Sequence, residues 1–61
     1  MKQAINWWFA QNYMYLFLFA QDATGKTHRV RTRWKDGEPF EAAEMRCIKR
    51  MHKTHGLMTE Y

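Results

Sequence analysis

The eight residues His28-Arg29-Val30-Arg31-Thr32-Arg33-Trp34-Lys35 alternate without a break between two kinds of side chain. Arg29, Arg31, Arg33 and Lys35 share one parity, while Val30, Thr32 and Trp34 share the other. A helix would scatter the four cations around its circumference. A strand gathers them on one face, because successive side chains point to opposite sides. The segment is therefore predicted to be a strand with one wet face and one dry face, and the rest of the chain has to supply a neighbour for the dry one.

The run before it, Tyr13 to Ala20 (YMYLFLFA), is rich in strand formers and apolar at both parities. Between the two lies Asp22-Ala23-Thr24-Gly25-Lys26. This stretch suits a three-residue hairpin loop, a type I turn closed by a left-handed glycine. Such a loop fixes the register. Asp22 then faces Lys26, and Leu18, Leu16 and Met14 face Val30, Thr32 and Trp34 on one side of the sheet. On the other side Phe19, Phe17, Tyr15 and Tyr13 face Arg29, Arg31, Arg33 and Lys35. A two-residue Thr-Gly loop would move the arginines opposite Leu and Ala, but threonine disfavours the positive φ that loop requires. Upstream, Ile5 to Ala10 reads as a further short strand turning at Gln11-Asn12. Trp8, Asn12 and Tyr15 also fit a helical spacing. Aromatics crowd the segment and helix formers are scarce, which favours the strand.

Asp36-Gly37 ends the basic strand. Pro39 fits the first turn of a helix, where its missing N–H leaves no bond unmade. Glu38, Glu41 and Glu44 gather near the start of that helix, with Lys49, Arg50, His52 and Lys53 near its end, as the macrodipole favours. Phe40, Ala43, Cys47, Ile48 and Met51 recur at helical spacing and form the expected buried stripe. Gly56 is the expected stop. The fold class that follows is α+β, in one small domain over residues 1–61. An antiparallel sheet of two or three strands (5–10, 13–21 and 26–35) carries a C-terminal amphipathic helix, 39–55, on one face.

The octet Ala20-Gln21-Asp22-Ala23-Thr24-Gly25-Lys26-Thr27 also spells a relaxed phosphate-loop pattern. That motif works only when a helix begins directly after Gly-Lys-Thr, so that backbone amides and the helix dipole converge on the phosphates. Here alternating residues follow and no helix can begin before Pro39. The octet is expected to be a turn.

What needs explaining is the face away from the helix, where four aromatics stand beside four cations. Apolar area of that kind calls for a cover. Arginine stems could lie across the rings with Trp7 or Trp8 folded over them, each cation–π contact contributing about 0.5–2 kcal/mol. A homodimer could instead seal two such faces together. The functional expectation is nucleic acid: bases stack on rings while cations follow the phosphates, or a basic sheet enters the major groove. The alternative is a small accessory or inhibitor protein, of the mobile-element or phage type, that docks the same face on a larger host protein through an acidic surface. In either case Arg29, Arg31, Arg33 and Lys35 would bind, with Tyr13, Tyr15 and Phe17 as stacking or packing partners. Arg46, Lys49, Arg50 and Lys53 form a second cationic stripe on the helix that could add phosphate contacts.

The net charge of +4, from ten Lys and Arg against six Asp and Glu, agrees with such partners. Catalysis has little support: the chain holds no serine, and its one cysteine, Cys47, belongs to the buried stripe. Cys47, His52, His55 and His28 do not make a convincing zinc set, so neither metal nor cofactor is expected. The longest apolar run, eight residues, falls short of the ~20 that span a bilayer. With no leader segment and a single cysteine, the expectation is a cytoplasmic protein without a membrane partner. Over residues 13–55 the order of elements resembles, as architecture and without a shared motif, the small arm-binding domain of phage-type tyrosine recombinases.

Overall fold

The computed structural model describes residues 2–59. Its centre is a three-stranded antiparallel meander of β2 (Asn6–Gln11), β3 (Tyr15–Gln21) and β4 (Thr27–Arg33), with β3 in the middle. A helix, α1 (Phe40–His55), lies across β3 and β4 on one face. Two short strands, β1 (Lys2–Gln3) and β5 (Leu57–Met58), pair in parallel beside it. The fold is α+β as expected, and the N-terminal aromatic segment is a strand. The expected spans were longer at their ends: Tyr13, Met14, Trp34 and Lys35 fall outside β3 and β4.

The β3–β4 register is the one a bulged three-residue loop dictates. Leu16 pairs with Thr32 and Leu18 with Val30, while Tyr15, Phe17 and Phe19 pair with Arg33, Arg31 and Arg29. Gly25 N–H donates to the Asp22 carbonyl at 2.9 Å, closing the turn, and Asp22 N–H donates to the Lys26 carbonyl at 3.0 Å, closing the hairpin. Gly25 has a φ of 87°, in the left-handed region. The Asp22 carboxylate accepts from the amides of Thr24 at 2.9 Å and Lys26 at 3.2 Å, and from the Thr24 hydroxyl at 2.6 Å. A phosphate loop would aim such amides at a ligand. Here the loop's own carboxylate accepts from them, and a strand follows Gly-Lys-Thr instead of a helix.

The β2–β3 connection is tighter and needs no glycine. Asn12 Oδ1 accepts from the amides of Met14 at 2.8 Å and Tyr15 at 2.7 Å, and Asn12 N–H donates to the Tyr15 carbonyl at 3.0 Å. The asparagine side chain stands in for a backbone acceptor, so the chain reverses with no positive φ outside glycine.

Alternate residues of β3 and β4 build the core. Leu16, Leu18, Ala20 and Val30 meet Ala43, Cys47 and Met51 of α1, with Ala4 and Leu57 closing one end. A fully buried Leu or Met contributes about 1.5–3 kcal/mol, and Leu16, Leu18 and Met51 are completely enclosed. Of the expected helix stripe, Phe40 and Ile48 are only partly covered. Phe40 sits at the helix start and packs its ring against Trp34 and Phe9, at 5.4 and 6.2 Å between centroids. Pro39 precedes the helix as its N-cap and does not sit in the first turn; its ψ of 148° is extended. Gly56 ends the helix in the left-handed region, its N–H donating to the His52 carbonyl at 2.9 Å. The helix is not strictly C-terminal. β5 follows it, and β1 bonds to that segment through Lys2 N–H to Gly56 O at 3.1 Å and Ala4 N–H to Met58 O at 2.9 Å.

The turn predicts one stability result. A Cβ at Gly25 meets no atom within 4 Å, so Gly25→Ala carries only the backbone penalty of the left-handed region, about 1–2 kcal/mol. Urea unfolding followed by tryptophan fluorescence should show the midpoint fall with an unchanged slope.

Candidate functional site

Strand parity decides which side chains the uncovered sheet face presents. Trp34 N–H donates to the Met14 carbonyl at 2.8 Å, in phase with the Asp22–Lys26 bond, so the bonded β3–β4 pairs are those of the buried face. Tyr15/Arg33, Phe17/Arg31 and Phe19/Arg29 are the non-bonded pairs, whose Cα atoms approach to about 4.5 Å. Each aromatic therefore stands close beside a guanidinium-bearing chain. The Arg31 guanidinium lies over the Tyr15 ring at 4.7 Å from its centroid, a cation–π geometry.

The third strand extends the row. Trp8 pairs with Phe19, and their rings stack at 5.5 Å with only 7° between planes. Phe19 stands 6.5 Å from Phe17, and Phe17 stands 6.2 Å from Tyr15. The result is a continuous row of Trp8, Phe19, Phe17 and Tyr15, with Arg29, Arg31 and Arg33 along the β4 flank. The three β3 rings are half-buried, and Trp8 is 41 % exposed. Neither tryptophan folds over the row: Trp8 stands in it, and Trp7, one residue away, has the parity of the helix side.

Charge is segregated as sharply as polarity. Among the described residues no carboxylate forms an ion pair with Arg29, Arg31 or Arg33; the two pairs present are His28–Asp22 and Arg46–Glu38. Asp22 accepts from Thr24 and lies 2.9 Å from His28 Nε2, which holds its carboxyl well below the usual range. His28 in turn stands 4.7 Å, ring to ring, from His55 at the end of the helix. Among the described residues no group of three or more His, Cys, Asp or Glu could hold a metal ion. Cys47 is fully enclosed, and burial raises its thiol pKa. It donates to the Leu16 carbonyl at 3.5 Å.

Several expected site residues have other places. Tyr13 sits at the tip of the β2–β3 connection, 93 % exposed and outside the row. Lys35 lies beyond the end of β4 in the turn leading to the helix. Arg46 is not an available cation. It forks onto Glu38 through both terminal nitrogens, Nη2 to Oε1 at 2.6 Å, and reaches Thr32 Oγ1 and the Arg33 carbonyl at 2.9 Å each. Arg50 donates to the Arg31 carbonyl at 2.7 Å. Both tie the helix to the outer edge of β4. Lys49 and Lys53 are exposed, but they ride on the helix, away from the aromatic row. Phe19 and Trp8 join the site although neither stood among the expected binding residues. For Trp8 the signal was there: carrying the Gln11-Asn12 turn through to a register puts it opposite Phe19.

Compared with known proteins, the chain matches no family model, no curated protein and no solved structure. No helix among the described residues is long and apolar enough to cross a membrane.

The Arg46 clamp predicts a pH effect. Its fork lowers the Glu38 carboxyl to about 2 from an ordinary 4.5. A group with a depressed folded pKa stabilises fully above its unfolded value and loses that contribution as pH falls through the folded one. Thermal melts should therefore show Tm falling as pH drops from about 4.5 towards 2. In Glu38→Gln the starting Tm should be lower and the fall over that window smaller, with the remainder due to Asp22.

Proposed function

We propose that this protein is a non-enzymatic binding module for single-stranded nucleic acid, which it holds on the open face of the β2–β3–β4 sheet. The observation that carries the reading is the one-sided order of that face: cations along β4, aromatic rings along β3, and Trp8 beyond them on β2. A single strand has that same cross-section, phosphates on one side and base faces on the other. A duplex in which a sheet enters the major groove needs cations on both flanks, because phosphates line both walls of the groove. β2 carries no charged residue at all.

Dimensions agree. Arg29 to Arg33 covers four strand steps, about 14 Å, the length of about four stacked nucleotides at about 3.4 Å each. Rings on alternate β3 residues stand at 6.2 and 6.5 Å, close to twice that repeat. Every base has a π face, so the row sets no strong sequence preference. Among the described residues no carboxylate pairs with these guanidiniums, so none of those pairs has to break for them to turn to phosphate. Docking of the same face on an acidic protein surface is the reading that a failed nucleic-acid titration would favour.

The test is a fluorescence titration with mixed-sequence single-stranded and duplex oligonucleotides at several salt concentrations. Trp8 reports directly. Saturable quenching should favour single strands, and log affinity should fall with log salt at a slope of about −2, from about 0.7 per phosphate contact. Arg31→Ala should lower that slope by about 0.7. Phe17→Ala should weaken binding by about 1–3 kcal/mol and leave the slope unchanged. A preference for duplex would overturn the stacking mode, and no saturation at low salt would overturn nucleic-acid binding altogether.

A further inference from the structure

Tyr13 and Lys35 stand outside the aromatic row, yet the fold brings them together beyond its Arg33 end. The β2–β3 turn carries Tyr13, 93 % exposed, and the link from β4 to α1 carries Trp34, Lys35 and Asp36. Two adjoining hollows of about 290 and 490 Å³ form a cleft here, and Tyr13, Trp34, Lys35 and Asp36 line both. Arg33 lines the larger one. Since Arg33 is also the cross-strand partner of Tyr15, the cleft continues the row directly.

Both of the segments that carry it are held in place. In the first turn Asn12 Oδ1 accepts from the amides of Met14 and Tyr15. The second is a β-turn in which Glu38 N–H donates to the Lys35 carbonyl at 3.1 Å. Gly37 takes the positive φ, 77°, that a type II turn needs at its third position. Trp34 Nε1–H donates to the Glu38 carbonyl and its ring packs against Phe40, so the indole is fixed before any ligand arrives. Charge then decides what such a cleft takes. Asp36 is exposed, and among the described residues no ion pair engages it or Lys35. Glu38, the neighbouring carboxylate, is committed to Arg46. A carboxylate repels phosphate and accepts hydrogen bonds without donating any. The part of a nucleic acid that suits Asp36 is therefore a base edge rich in N–H donors. Guanine carries two side by side on its Watson–Crick edge, N1–H and the N2 amino group. Adenine and cytosine set one donor beside an acceptor, and thymine or uracil flanks one donor with two acceptors. Guanine alone meets a carboxylate with two hydrogen bonds and no opposed lone pair.

We propose that this cleft is a guanine subsite at one end of the strand-binding face. The inference rests on the single-strand reading above, and it adds one specific position to a row that is otherwise indifferent to sequence. The base lies against the Tyr13 and Trp34 rings, with its Watson–Crick edge on Asp36 and its phosphate on Lys35 or Arg33. Because the cleft adjoins only the Arg33 end of the row, guanine is recognised at one terminus of a bound strand and not at the other.

Tryptophan-fluorescence titrations with short thymidine strands, each carrying one guanine, adenine or cytosine at its 5′ or its 3′ end, test it. At one end alone, guanine should tighten binding about tenfold over adenine or cytosine, the effect of one bidentate base contact. At the other end the base should not matter. Asp36→Asn should remove the preference, because the amide nitrogen sets a donor against guanine's own donors. Tyr13→Ala should weaken binding of the favoured strand about tenfold through lost stacking. Its far-ultraviolet circular dichroism should be unchanged, since Tyr13 is exposed. Should Asp36→Asn fail to fold, Tyr13→Ala decides the matter alone. Strands that bind equally well whatever their terminal base, or that favour another base, overturn the guanine subsite and leave the sheet reading standing. So does a guanine preference that persists undiminished in the folded variants, since its source would then lie elsewhere. Strands that fail to bind even at low salt overturn both.

Discussion

The structure depends on a single left-handed residue. Gly25, with the Asp22 carboxylate gathering the amides of Thr24 and Lys26, fixes the loop at three residues. The loop length fixes the register, and the register assigns every β3 and β4 side chain to a face. A slip of one residue would send Leu16 and Leu18 to solvent and bring Tyr15, Phe17 and Phe19 under the helix. Buried leucines and the arginine-flanked row are thus two consequences of one turn. The core enforces it, because the slip would expose two fully enclosed leucines at about 1.5–3 kcal/mol each.

Covering the sheet takes the one helix among the described residues, and the clamp at its start determines where that helix lies. Glu38 receives Arg46, and Arg46 also reaches β4 through Thr32 and Arg33. Trp34 Nε1–H donates to the Glu38 carbonyl at 3.3 Å, so the turn, the helix and the edge strand are tied at one place. Side-chain packing alone would allow α1 to slide along the sheet, since Ala43, Cys47 and Met51 are small or flexible. Directional bonds from Arg46 and Arg50 to fixed carbonyls of β4 remove that freedom. Both arginines give up their use as free cations in doing so.

Much of the fold was legible because alternation and turn chemistry are local. The parity of residues 28–35, the glycine at the bulge and the 3.6-residue stripe each specify a geometry without reference to distant parts of the chain. Two features had no local signal. Strands of two residues, Lys2–Gln3 and Leu57–Met58, are too short to show a period, and their pairing depends on the helix bringing Gly56 back beside Lys2. The roles of Arg46 and Arg50 were equally hidden, because a stripe of cations at three- and four-residue spacing looks the same whether solvated or bonded. Two of their acceptors, the carbonyls of Arg33 and Arg31, are backbone groups, which every residue has. The row itself was readable from register, except that Tyr13 and Lys35 were counted in it. The Asn12 side chain closes the β2–β3 turn and lifts Tyr13 out of the ladder.

A sheet of three strands with one helix has two faces and only one cover, so some open face is unavoidable at this size. What is avoidable is its composition. Threonine, lysine and glutamate at the outward positions of β3 would keep strand propensity and solubility while exposing little apolar area. The chain instead places three aromatics there, a tryptophan beside them and three arginines that no carboxylate pairs with among the described residues. Cation–π contact explains Arg31 over Tyr15, but one such contact does not require three rings and a fourth in register. Ring pairs such as Trp8 on Phe19 stabilise the folded chain by about 0.5–1.5 kcal/mol each, but they do not call for the arginines beside them. A ligand with flat apolar faces and a line of negative charge would gain from all of it, and that asymmetry is what supports the proposed binding role.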